Sequence, residues 1–301
     1  MIYFKQACRI GVIGFGEVGK TFAQGLVGRT GVASVAAWDL KFADPAARAA
    51  ETATAQAMGV RVATGAQDLC AQVDLIISAV TASNTLQVAQ DAAGHMQAGA
   101  VFLDLNSASP GTKQRASAAV QAAGADYVEA GVMTSVPPYG IRVPMLLGGA
   151  QAAALAPQLQ AWGMDAKPVS DQLGVASAIK MCRSVMIKGL EALVIESYAT
   201  ARHYGVEDHV LPTLVETFPS IDWSQQGAYF FSRVVQHGKR RAEEMREAAR
   251  TVQEAGFEPL MTAGTAAKQQ WVADQAAAGV FQAVPKNAAW QAYADALLKA
   301  R

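Results

Sequence analysis

The stretch Arg9-Ile-Gly-Val-Ile-Gly-Phe-Gly-Glu-Val-Gly-Lys20 decides the fold of this chain. Ile10, Val12 and Ile13 make the short apolar run of a buried strand, and Thr21 to Leu26 starts a helix. Gly14, Gly16 and Gly19 stand at the turn between them. That spacing suits a dinucleotide. One glycine makes the tight turn, the second lets backbone approach a pyrophosphate, and the third lets helix and strand pack closely. Phe15, Glu17 and Val18 complete the loop, whose N–H groups at the helix N-terminus are the expected phosphate seat. An acid follows about twenty residues on, as such a site requires: Asp39, after the apolar Val32-Ala-Ser-Val-Ala-Ala-Trp38. Its carboxylate suits a ribose hydroxyl, whereas a ribose phosphate would bring about two negative charges beside it. Lys41, two residues on, offsets part of that repulsion, so NAD is expected over NADP.

The 301 residues are enough for two domains, each with its own core. Apolar residues make up 51% and charged residues 17% of the chain, and 25 basic residues balance 25 acidic ones. No global field therefore favours nucleic acid or an anionic membrane surface. Cys8, Cys70 and Cys182 are odd in number and lack metal-ligand spacing, which fits reduced thiols and predicts no metal site. The first apolar segment is the nucleotide strand itself, and no apolar run reaches transmembrane length. These features predict a soluble cytoplasmic protein.

Short β runs alternate with alanine-rich helical segments in the first half, which predicts a doubly wound, mostly parallel sheet with helices on both faces. Candidate strands beyond the first two lie at 60–63, 74–80, 100–105, 126–132, 142–147 and 167–169, with a helix at 45–58. Ligands of such sheets lie beyond the carboxyl ends of the strands. Thr81-Ala-Ser-Asn84 and Asn106-Ser-Ala-Ser109 are therefore expected to line a cleft, with Val80 and Thr81 at the cofactor. From 170 onward the strand signals stop and 3.6-residue periodicity takes over, broken near Phe218-Pro-Ser220 and Gly256-Phe-Glu-Pro259. We expect an α/β domain over 1–169 and an all-α domain over 170–301, with one helix from Asp171 to about Tyr204.

Lys180 is the most informative side chain of the helical half. Ser184 and Lys188 follow it at i+4 and i+8, placing all three on one helix face, with Arg183 beside it. A solvated basic stripe would explain these cations. Against that, Ile179, Met181, Cys182, Val185, Met186 and Ile187 surround them with apolar side chains, which would direct the cations to a cleft or an interface. By the same pattern Cys182 is expected in packing, and His95, His203 and His209 at the surface.

These four stretches together (the glycine loop, Asp104-Leu-Asn-Ser-Ala-Ser-Pro110, Gly131 to Gly149, and the helix of Lys180) resemble the β-hydroxyacid dehydrogenase family. That family includes 3-hydroxyisobutyrate and 6-phosphogluconate dehydrogenases, and the likeness is to its phosphogluconate-dehydrogenase-like branch of unassigned substrate. The resemblance implies a Rossmann domain, an all-α domain, a homodimer and hydride transfer, with Lys180 as the catalytic lysine. It also implies Asn106 and Ser107 near nicotinamide and substrate. Departures are informative. Ser184 replaces the family's usual asparagine, and Arg183 and Lys188 stand where phosphogluconate enzymes have histidine and tyrosine. The usual Ser-Gly-Gly loop is replaced by Val132-Met-Thr-Ser-Val-Pro-Pro138. Pro137 and Pro138 offer no N–H, so the hydroxyls of Thr134 and Ser135 are the expected substitutes.

The expected reaction is oxidation of the CH–OH group of a small 3-hydroxy acid, or reduction of the matching semialdehyde or keto acid. Lysine free in water, with pKa about 10.4, is a poor base at neutral pH, and desolvation or an adjacent cation such as Arg183 is the means of activating one. Arg183 and Lys188 would also form a clamp for an anionic substrate. Arg240 and Arg241 are further candidates from the helical domain, set against the alternative that they pair with Glu243, Glu244 and Glu247; His237 fits either reading. Decarboxylation after oxidation would need an acid to protonate the enol, and neither a tyrosine nor a glutamate is assigned that role. Two rivals remain: an imine reductase, which shares this architecture, and a nucleotide-binding protein without turnover.

Overall fold

The computed structural model describes Phe4 and residues 6–300. The chain forms two compact units, residues 1–181 and 182–301. The first opens with β1 (Cys8–Ile13), α1 (Glu17–Leu26), β2 (Val32–Trp38), α2 (Arg48–Ala57), β3 (Arg61–Val62) and α3 (Ala66–Cys70). β4 (Leu75–Ser78), α4 (Thr85–Ala93), β5 (Val101–Asp104), α5 (Pro110–Ala122) and β6 (Asp126–Val132) follow. β7 (Met145–Gly148), α6 (Ala152–Ala161) and β8 (Ala166–Ser170) complete the sheet, and α7 (Val175–Tyr204) begins beyond it.

The eight strands lie in the order β3-β2-β1-β4-β5-β6-β7-β8. Every neighbouring pair is parallel except β6 and β7. That exception follows from the connection: no crossover helix separates these strands, and a short return permits antiparallel pairing only. Period-two alternation sends Ile10, Val12, Leu75, Ile77, Leu103 and Val128 to one face, where Phe22 and Leu26 of α1 and Leu155 and Leu159 of α6 cover them. Ile76 and Phe102 face the other way, under Leu69 of α3, Ala89 of α4 and Val120 of α5. The sequence order reverses between β1 and β4, which makes the gap beyond their carboxyl ends the switch point of the sheet.

A polar layer interrupts the second face at β5 and β6. Lys113 of α5 and Asp104 at the end of β5 are 1% and 0% exposed, and their Nζ and Oδ1 atoms lie 2.9 Å apart. Lys113 also donates to the Asp104 carbonyl at 3.0 Å. The Tyr127 hydroxyl donates to Asp104 Oδ2 at 2.5 Å. Burial, reinforced by the Asp104 charge, pushes the Tyr127 phenol well above its ordinary range and keeps it a donor. Two residues along β6, buried Glu129 points the same way. Its Oε1 accepts from the N–H groups of Gly174 at 2.8 Å and Ala176 at 3.0 Å, capping the start of α7. Oε2 has no hydrogen-bond partner among the described residues. Gly148 on β7 leaves room for this carboxylate, since a Cβ there would stand 2.4 Å from Oε1.

Strands end at Ser170, where the sequence changes texture, and the compact units divide later, inside α7. The second unit adds α8 (Glu207–Thr217), α9 (Trp223–Glu254), α10 (Leu260–Ala277) and α11 (Trp290–Lys299) to the rest of α7. Two of its breaks, between α8 and α9 and between α9 and α10, fall at the Pro-containing segments expected from sequence; that after Tyr204 matches the expected end of α7, and that after Ala277 was not foreseen. Ile195, Tyr198, Phe231, Val234, Val272, Trp290 and Tyr293 form its core. Within it, the Arg241 guanidinium of α9 grips the Glu191 carboxylate of α7 with two of its nitrogens, Nη2 to Oε1 and Nε to Oε2 at 2.9 Å, and Gln269 of α10 donates to the latter oxygen at 3.2 Å. Burial raises the Glu191 pKa, and Arg241 opposes that rise. Among the described residues no helix is long and apolar enough to cross a membrane.

Two stability tests follow from the polar layer. Lys113→Met leaves Asp104 buried without its counter-ion, and should lower unfolding stability by about 3–5 kcal/mol in urea titrations. Glu129→Ala strips two buried N–H groups of their acceptor and should cost about 2–4 kcal/mol. Glu129→Gln keeps an accepting oxygen and should cost less than half of that; equal losses for both would show that the cap contributes little.

Candidate functional site

Steric constraint explains two of the three glycines of the first loop. Gly14 has φ +94°, and a Cβ there would meet the Ala79 carbonyl oxygen at 2.4 Å. At Gly19 a Cβ would lie 1.8 Å from the Gly14 oxygen, so only glycine lets α1 pack on the loop. Gly16 differs, with nothing within 4 Å of its hypothetical Cβ. It is the N-cap of α1 and supplies no side-chain cap, which leaves the N-terminus of a ten-residue helix open to a ligand. Open space and an uncapped N-terminus fit a pyrophosphate.

The end of β2 is tied to this loop. Gly14 N–H donates to the Trp38 carbonyl at 2.9 Å. Asp39 Oδ2 accepts from Phe15 N–H at 2.6 Å, and Oδ1 accepts from Lys41 N–H at 2.9 Å. The carboxylate is thus oriented by backbone, with a lone pair on each oxygen still able to accept from ribose hydroxyls. The Lys41 ammonium is not directed at Asp39; it lies 3.5 Å from Glu51 of α2.

Beyond β4 and β5, one carboxamide joins the two strand ends. Asn106 is buried; its Oδ1 accepts from Val80 N–H at 2.7 Å and its Nδ2 donates to Ser78 Oγ at 2.9 Å. Its own N–H donates to Asp104 Oδ1 at 2.9 Å, which hangs Asn106 from the buried polar layer. Thr81 is exposed, and its hydroxyl accepts from Asn84 at 2.9 Å. Ser107 is half-buried next to Asn106.

At the end of β6, Gly131 brings the strand against α7. A Cβ on Gly131 would lie 2.9 Å from the Ala176 carbonyl and 3.6 Å from Lys180 Cβ. Lys180, half-buried, stands one turn beyond Ala176. Thr134 is exposed and Ser135 half-buried in the following loop, which turns about buried Val136 through N–H bonds from Tyr139 and Gly140 to its carbonyl, at 3.0 and 2.9 Å. Within the first unit, the expected residues therefore line one edge of the sheet, in the strand order β2, β1, β4, β5, β6. Asp39 stands at the β2 end of that row, and Lys180 of α7 lies against Gly131 of β6 at the other.

In the second unit the expected residues are largely paired. Lys188 is 7% exposed, with its ammonium 2.6 Å from Glu244 Oε2 and 3.3 Å from Ser184 Oγ. Arg240 lies 3.9 Å from the same Glu244, and Arg241 is bound to Glu191. Arg183 is exposed. Cys182 corrects an expectation: it is exposed rather than packed, because its position on α7 points away from that unit's core. His95, His203 and His209 are exposed, as expected. Sequence reading missed Lys113, Tyr127 and Glu129. An acid between Val128 and Ala130 in an apolar strand was the available signal for the last; the other two carried none.

A family model described as the NAD binding domain of 6-phosphogluconate dehydrogenase matches residues 9–166. A second model, a domain of unknown function (DUF1932), matches residues 201–272. A conserved hypothetical protein from Sinorhizobium meliloti has a solved structure that is 38% identical, with a TM-score of 0.76, covering 99% of this chain and 98% of its own. Another conserved protein of unknown function, whose structure reveals similarity with 3-hydroxyacid dehydrogenases, is 30% identical with a TM-score of 0.67, over 88% and 97% of the two chains. The 3-hydroxyisobutyrate dehydrogenase of Salmonella typhimurium shares the fold at 20% identity and a TM-score of 0.66, over 98% and 100%. The family match takes in more than half of the chain, including the glycine loop, Asp39 and the switch point, and this protein belongs to the family of the NAD-binding domain of 6-phosphogluconate dehydrogenase.

Proposed function

We propose that the protein is a cytoplasmic NAD(P)-dependent oxidoreductase that acts on the CH–OH group of a small 3-hydroxy acid, or on the matching carbonyl compound, with Lys180 as general acid and base. The observation that carries this reading is the alignment along one sheet edge of an open glycine loop, Asp39, Asn106 and Lys180. In domain terms, 1–169 binds the nucleotide, and 170–301 serves substrate binding and dimerisation. Exposed Met186, Leu190 and Leu193 on α7 and Leu260, Met261 and Trp271 on α10 support a homodimer, since such side chains in water favour a partner surface.

A nicotinamide cofactor, when bound, supplies the hydride acceptor. The protein's own part is positional and protonic. Lys180 Nζ takes the proton of the substrate hydroxyl as the C–H bond breaks, and returns it in the reductive direction. Gly131 permits β6 to approach α7 at this lysine, and Glu129 secures the helix start beneath it. Asn106 orients the reacting end, with its amide fixed by Val80 and Ser78. Ser107, Thr134 and Ser135 are the hydroxyl donors proposed for the substrate. Of the cations proposed beside them, Lys188 and Arg241 already face carboxylates, and Arg240 is loosely paired. Exposed Arg183, one turn from Lys180, is the one we assign to an acidic group of the substrate. Asp39 supports NAD over NADP.

Initial rates of NADH formation on a panel of 3-hydroxy mono- and dicarboxylic acids test the reading. Lys180→Met should lower kcat by about 10²–10⁴-fold while NADH binding persists; equal rates in both proteins would remove Lys180 as the base. Arg183→Met should raise KM by about tenfold with a smaller change in kcat. An unchanged KM would take Arg183 out of the site.

A further inference from the structure

Two lysines flank the Asp39 end of the loop, and both are held by one acid. Lys20, in the first turns of α1, lies with its ammonium 2.7 Å from Glu51 Oε2 and 5.5 Å from the Phe15 ring centre. Lys41 reaches the other oxygen of the same carboxylate at 3.5 Å. Phe15 and Lys41 are the two residues whose N–H groups hold Asp39. Glu51 of α2 is therefore linked to Asp39 through Lys41 on one side and through Lys20 and Phe15 on the other. Its side chain is 17% exposed, and the pairing, chiefly with Lys20, holds its carboxyl below the usual carboxylate range.

We infer that Glu51 is a second determinant of cofactor choice: it neutralises Lys20 and Lys41, which would otherwise form a seat for a ribose phosphate beside Asp39. A phosphorylated ribose carries about two negative charges and is stabilised by cations within a few ångströms. Here the two available ammonium groups are engaged by an acid, and that acid adds its own repulsion. A ribose with free hydroxyls needs neither lysine. Asp39 thus acts by direct contact and Glu51 through the lysines it holds, so that Asp39 alone does not set the preference. This deepens the NAD assignment above and rests on the nucleotide lying on the Gly14–Gly19 loop; it is independent of the substrate and of Lys180.

Equilibrium binding of NADH and NADPH, followed by nicotinamide fluorescence on the full chain without substrate, tests it. The ratio of the NADPH to the NADH dissociation constant should fall by about tenfold in Glu51→Gln. The same fall in Glu51→Ala would show that charge, not side-chain shape, is responsible. Adding Lys41→Met and Lys20→Met to Glu51→Gln should return the ratio to that of the parent. A ratio unchanged in both Glu51 variants, with NADH still bound, would overturn the role of Glu51 and leave the nucleotide site standing. A parent protein that binds neither nucleotide would overturn the nucleotide reading itself, and this inference with it.

Discussion

One oxygen of the Glu129 carboxylate holds the helix on which Lys180 is carried, and the proposed chemistry depends on that grip. The N–H groups at a helix start have no partner within the helix, and buried ones are costly to leave unmet. Here Gly174 and Ala176 meet the same acceptor, and Ala176 is the residue one turn before Lys180. The carboxylate comes from β6, whose next position on the same face is Gly131, where a Cβ would press on the Ala176 carbonyl of α7. Strand, cap and lysine are thus one rigid arrangement. A negative charge at a helix N-terminus is also favourable in its own right.

A parallel arrangement on β5 governs Asn106. Asp104 holds its backbone N–H, Lys113 neutralises Asp104, and Tyr127 donates to the remaining oxygen. Such a buried pair contributes little net stability, because desolvation offsets the attraction. Its effect is geometric: the loop after β5 has one conformation in which every one of these groups is satisfied. Preorganisation of that kind is what a reacting site requires of its surroundings.

The legible parts of this molecule are those governed by local sterics. Gly14 and Gly19 are irreplaceable for reasons internal to one strand–turn–helix unit, and Asp39 stands directly after the next strand, so all three could be read in sequence. The doubly wound sheet was legible because alternating apolar runs leave few other topologies. Side chains whose partners lie on remote elements were not. Lys188 reads as a clamp or a snorkelling cation until Glu244 of α9 is seen beside it. Arg241 was set against nearby acids on its own helix and instead found Glu191 on α7. Glu51, in an alanine-rich helix, gave no signal at all. Ion pairs between distant segments have no period and no spacing to betray them.

The ends of the sheet have a consequence for self-association. β3 contributes only two residues, and β8, at the opposite end, carries Pro168 within a five-residue strand. An incoming strand would find too short a row of backbone groups at the first edge, and at the second a row missing one N–H donor. Growth by strand addition, the route by which exposed sheets nucleate fibrils, is therefore disfavoured at both edges of the eight-stranded sheet, so that pairing of copies falls to helical surfaces instead.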